Sequence, residues 1–192
     1  MTQARWAVGV LIGICAVPGA WRPASAADQH PLLGVMESEL KLSMEKLETP
    51  DGTKPYFMQY SVTDSRSCVV SATLGAITND DDNHSRVCEV DVRCGDYAID
   101  NSHQIRGQGG GSYDAGGGYV PLPLNDDETA SRHAIWLKTD ERFKSAAKRL
   151  GQVKANIKVK VEEEDPSDDF TREEPVVRVD PFVRQQIDRG VC

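Results

Sequence analysis

Ser85–Asn101 reads S-R-V-C-E-V-D-V-R-C-G-D-Y-A-I-D-N. From Arg86 to Arg93 the residues alternate, with Val87, Glu89, Asp91 and Arg93 on one side. Arg86, Cys88, Val90, Val92 and Cys94 fall on the other. A period of two sends alternate side chains to opposite faces of a sheet, so the spacing predicts a strand with one mixed face. Ser67–Thr78 just before it is rich in β-branched and small residues, and Asn79–Asn83 between them is a polar run suited to a turn. Together they predict an antiparallel hairpin centred near Asp81.

Upstream, Pro55–Thr63 carries Tyr56, Met58, Tyr60 and Val62 in step and predicts a further strand, with Asp64-Ser65 as a tight connection. Before that, Leu33, Met36, Leu40, Met44 and Leu47 recur at three- and four-residue steps, which predicts an amphipathic helix over Pro31–Glu48. Pro50-Asp51-Gly52 ends it. Downstream, the glycines between Gly107 and Gly118 predict a flexible loop. No G-K-[ST] follows them, so they do not make a phosphate cradle. Asn125–Val153 predicts the second helix, with a capping box from Asn125 to Glu128. Its apolar stripe is Ala130, Ala134, Leu137, Phe143, Ala147 and Leu150, and Trp136 is expected in the core. This order predicts an α+β fold, an antiparallel β-sheet with flanking amphipathic helices.

The chain has 192 residues, 39% hydrophobic and 27% charged, with a net charge of -8. That allows one domain with extensions and argues against nucleic acid as a partner, since phosphate neutralisation needs clustered Lys and Arg. Residues 1–26 read as a signal peptide. Arg5 is the basic start, Trp6–Val17 the apolar run and Ala24-Ser25-Ala26 the cleavage site, with an uncleaved N-terminal anchor as the competing expectation. The expected location is exported, periplasmic or extracellular, with no membrane association after cleavage. Residues 27–157 form the predicted domain. Residues 158–192, with charge runs and Pro166, Pro175 and Pro181, read as a partly disordered linker.

Three strings carry a family resemblance: S-A-T-L-G-A at Ser71–Ala76, R-V-C-E-V-D-V-R-C-G-D-Y-A-I-D-N at Arg86–Asn101, and V-P-L-P-L-N-D-D at Val120–Asp127. In this order they resemble the N-terminal domain of the TldD/PmbA family, the exported branch of TldD-related metallopeptidases, over roughly Leu33 to Val179. The resemblance implies a zinc metallopeptidase whose H-E-x-x-x-D-H motif lies in a C-terminal half outside this chain. It implies a truncated or interrupted gene product, with zinc expected only in the missing half. The implied partners are that half, a homodimer partner and a peptide substrate.

The residues agree in offering no catalytic or metal site. None of His30, His84, His103 and His133 begins an H-E pair, and no second His follows His133 one helical turn on. Two functions follow. One is the non-catalytic N-terminal domain of a TldD/PmbA-related metallopeptidase, inactive alone. The alternative is a stand-alone periplasmic peptide-binding or interaction module that adds a strand at its sheet edge. A hairpin centred near Asp81 would also set Cys68 opposite Cys94, within reach of a disulfide in an oxidising compartment. Two free thiols, or a slipped register, is the competing expectation.

Overall fold

A computed structural model describes residues 30–105, 118–157, 168–172 and 174–180, together with the backbone of 8–15. The described elements run β1 (Val8–Cys15), α1 (Pro31–Lys46), β2 (Pro55–Thr73), β3 (Ala76–Cys94), β4 (Tyr119–Pro121), α2 (Glu128–Ile157) and β5 (Val177–Val179). The strands form one sheet in the order β4-β3-β2-β1-β5, and every pairing is antiparallel. With two helices beside it, this is the α+β fold that the alternation and the helical stripes predict.

The hairpin differs from the expected one. What reads as three strands is two, each 19 residues long, or about 60 Å at the rise of an extended chain. The turn is Leu74-Gly75, not Asp81, and both residues have positive φ (52° and 80°). That is the backbone of a two-residue hairpin whose twist matches its strands, normally signalled by Asn-Gly rather than Leu-Gly. Polar residues at Asp64–Arg66 and Asp80–Asn83 do not break the strands because they pair across the ladder. Arg66 grips Asp82 through two bonds of 2.9 and 2.6 Å, Ser65 meets Ser85 at 3.0 Å, and His84 meets Asp64 at 2.7 Å. Cross-strand pairs of this kind contribute roughly 0.2–1 kcal/mol each.

This register corrects the cysteine expectation. Cys68 lies opposite Asp82 and Cys94 opposite Pro55, near different ends of the ladder, and both are free thiols. The pairing fails because moving the turn from Asp81 to Leu74-Gly75 slides one strand along the other.

The base of the hairpin buries one face. Met58, Tyr60, Cys88, Val90 and Val92 lie at 0–1% exposure against Met36 and Leu40 of α1 and Ile135, Phe143 and Leu150 of α2. Burying each large apolar side chain contributes roughly 1.5–3 kcal/mol. His30 caps α1 by accepting the Leu32 N–H at 3.3 Å, with Pro31 at the first helical position where its missing N–H costs nothing. α1 ends at Lys46, and Met44 and Leu47 pack on the core as the stripe predicts.

α2 departs from its expected stripe. Its buried positions are Ser131, Ile135, Thr139, Arg142, Phe143, Ala146, Leu150 and Val153. Trp136 and Leu137 follow Ile135 by about 100° and 200° around the helix, and both are exposed, Trp136 stacking on His133 with ring centroids 6.3 Å apart. The cap is Asp127, which accepts the Ala130 N–H at 2.9 Å, rather than the Asn125–Glu128 box. The reach into α2 is anchored by buried Arg86, which donates to Asp64 at 2.7 Å, to Asp126 at 2.5 Å and to the Pro123 carbonyl at 2.9 Å.

Two segments outside residues 27–157 also meet the sheet. The backbone of Val8–Cys15, within the apolar run read as a leader, lies between β2 and β5. Part of the expected linker is docked rather than loose, since Asp169 and Phe170 donate backbone hydrogen bonds to Ala98 and Tyr97 at 3.3 and 3.1 Å. The expected cleavage site, most of the glycine-rich loop, and residues 158–167, 173 and 181–192 of the expected linker lie outside the described residues.

Candidate functional site

The polar side of the sheet lies opposite the buried line of Met58, Tyr60, Val90 and Val92. Alternation along β2 and β3 puts Gln59, Ser61, Glu89, Asp91 and Arg93 there, each half-buried. Together with Val90, Asn101, Ser102 and Arg142 of α2 they line a cavity of about 210 Å³, which therefore touches α2 as well as this face. Its walls carry both signs of charge. That suits polar contacts with a polypeptide better than a concentrated anion or cation site.

At one end of this face a bulge in β2, between Pro55 and Phe57, aims Tyr56 at Asp100. Asp100 is fully buried and accepts from Tyr56 Oη at 2.8 Å, Arg93 Nη1 at 3.0 Å, Ser102 N at 2.6 Å and Ser102 Oγ at 2.5 Å. Burial pushes its carboxyl up, but the bonds from Ser102, Tyr56 and Arg93 outweigh that and hold it below the usual carboxylate range. Tyr56 is raised by burial and then by Asp100, so it stays neutral. The Arg93 guanidinium lies 4.1 Å from the Phe170 ring centre, a cation–π contact across to the C-terminal segment. His103 Nδ1 meets Asp169 at 2.8 Å, and Asp169 also accepts the Asp100 N–H at 2.9 Å. The cluster therefore clips residues 168–172 to the end of the sheet.

This arrangement is a poor catalyst. A carboxylate held by four donors, with a depressed pKa, has little tendency to take a proton from a nucleophile. Ser102 Oγ donates to that carboxylate rather than to an imidazole. Burial pushes the Cys88 thiol up to about 12, and burial with the Asp100 charge does the same for Cys94, so neither is a thiolate near neutral pH. The four histidines are scattered. His30 caps α1, His84 meets Asp64, His103 meets Asp169 and His133 stacks on Trp136. Among the described residues no three His, Cys, Asp or Glu side chains gather in a group that could hold a metal ion. No described helix is long and apolar enough to cross a membrane.

Comparison with protein-family models, with curated proteins and with solved structures found no match.

The sequence alone places Glu89, Asp91 and Arg93 on one mixed face, which is the face found here. It gives no sign of the Asp100–Arg93–Phe170–Asp169 cluster. Those residues come together only when the segment after α2 returns to the sheet, and no periodic pattern marks that return.

Proposed function

We propose that this chain is the non-catalytic N-terminal domain of a TldD/PmbA-related metallopeptidase, exported and dependent on a separate metal-bearing half for hydrolysis. The observation that carries the reading is the two-faced sheet. One face packs against α1 and α2, while the other presents half-buried Gln59, Ser61, Glu89, Asp91 and Arg93, which share a cavity with Arg142 of α2. In the resembled family this half pairs with the catalytic half and helps enclose the peptide substrate, and the open face is the surface offered for that pairing here.

The test is co-expression with a polypeptide carrying an H-E-x-x-x-D-H half. Co-elution and chelator-sensitive peptidase activity are expected from the pair, with both lost in a Glu89→Arg, Asp91→Arg double variant that still folds. A chain that hydrolyses peptides alone, or a pair that co-elutes equally well with the double variant, contradicts the proposal.

A further inference from the structure

Val8–Cys15 occupies an internal position in the sheet, paired with β2 from Phe57 to Asp64 on one side and with β5 on the other. The same residues belong to the apolar run of a leader that ends at Ala26, and the inference below rests on that leader being removed. Among the described residues β5 forms its ladder with β1 alone. Removing β1 would leave the edge of β2 unpaired over its apolar base and β5 without a strand beside it. The two walls would stay near each other, because the segment leading to β5 is tied to the domain independently. Asp169 and Phe170 bond to the backbone of Ala98 and Tyr97, and Arg93 packs on Phe170. Both walls are apolar where they meet the slot's inner face, with Met58, Tyr60 and Val62 buried on β2 and Val177 and Val179 packed on the core from β5.

We propose that the mature chain takes up an extended apolar segment of a partner polypeptide in the slot between β2 and β5, antiparallel to β2, where β1 sits in the precursor. An open strand edge supplies a row of unpaired N–H and C=O groups, which another chain can satisfy by adding a strand. The segment now in the slot, V-G-V-L-I-G-I-C, indicates what fits: an uncharged run without Pro, rich in β-branched residues, with glycines interspersed. In the precursor the leader fills the slot and shields the edge.

The test uses the full chain with a specific protease site between Ala26 and Ala27, folded uncut and then cleaved. The probe is a fluorescein-labelled peptide of Val8–Cys15 flanked by lysines, followed by anisotropy. The cleaved chain should bind the peptide saturably while the uncut chain does not. An Ile12→Pro peptide should bind at least about tenfold more weakly, since Ile12 lies opposite both Tyr60 and Val177 and proline cannot donate to a ladder. Equal binding by cut and uncut chains overturns the proposal, as does equal binding of the proline peptide. A cleaved chain that loses its circular dichroism also overturns it, because the slot must persist when empty. So does one that dimerises and excludes the peptide, since a second copy is then the occupant. N-terminal sequencing of the exported protein tests leader removal separately. A start at Ala27 supports the proposal, and retention of Val8–Cys15 refutes the leader reading whatever the peptide result.

Discussion

Replacing Asp100 with Asn removes one charge and keeps the shape, and it strikes the point where sheet, loop and C-terminal segment meet. The carboxylate accepts four hydrogen bonds and is fully buried, while its cationic partner Arg93 is 21% exposed. An amide has only one acceptor oxygen, so either the Ser102 pair or the Tyr56–Arg93 pair loses its acceptor. Breaking a buried ion pair from one side costs about 3–5 kcal/mol. Arg93 keeps some hydration and a weaker contact to Asp91 at 3.3 Å, which reduces the expected loss to roughly 2–3 kcal/mol. For a chain of this size that is a fall in Tm of about 4–12 °C. Urea denaturation should show a lower midpoint at unchanged slope, and limited proteolysis should cut faster near Phe170. The pH profile supplies a second reading. Because the folded Asp100 carboxyl lies below its unfolded value, its contribution is fully present above about pH 4. It is lost as pH falls through the folded value, and the Asn variant should lack that part of the acid transition. A change under about 0.5 kcal/mol, with proteolysis unaltered, would refute the idea that Asp100 fastens the segment.

Other outcomes follow from the same geometry. Thr139 Oγ1 donates to the Ile135 carbonyl at 2.8 Å, so the 2.7 Å bond to Tyr60 is donated by the tyrosine. A Tyr60→Phe and Thr139→Val double-mutant cycle should give a coupling of about 1 kcal/mol by urea denaturation, and additive effects would contradict that bond. Burial raises the Tyr60 hydroxyl to about 12 and the Cys88 and Cys94 thiols to about 12. The unfolded chain therefore releases these protons first, and stability should fall steadily as pH rises from about 9 towards 12. With a thiol reagent, Cys68 should label in the native chain, and Cys88 and Cys94 only on unfolding without any reductant. Protection of Cys68 and Cys94 in denaturant would restore the disulfide excluded by the register. Gly118→Ala places a Cβ 2.2 Å from the Val90 carbonyl oxygen. It should cost about 1–3 kcal/mol in thermal unfolding as the β3–β4 edge shifts, and an unchanged Tm would contradict that close approach.

Much of the fold is legible in the sequence because burial is periodic. Cys88, Val90, Val92 and Cys94 are buried as their alternation requires, and Leu33, Met36 and Leu40 as theirs does. What is not legible depends on partners distant in sequence. Asp64, Asp80 and Asp82 look like turn residues until the opposite strand supplies Arg86, Val70 and Arg66. Trp136 looks like core until Ile135 and Thr139 are seen to set the buried line of α2. A Leu-Gly turn offers no Asn or Asp to announce its positive φ values, so the polar run at Asn79–Asn83 looks like the centre of the hairpin and sets Cys68 against Cys94. The cluster around Asp100 depends on Asp169 and Phe170 folding back across the end of the sheet, which no local pattern encodes.

The proposed dependence on a separate metal-bearing half is open to a direct experiment. Metal analysis and peptide hydrolysis on the purified chain test it most directly. No stoichiometric zinc and no hydrolysis by the chain alone are expected. Stoichiometric zinc, with peptidase activity abolished by a chelator and restored by zinc, would contradict it.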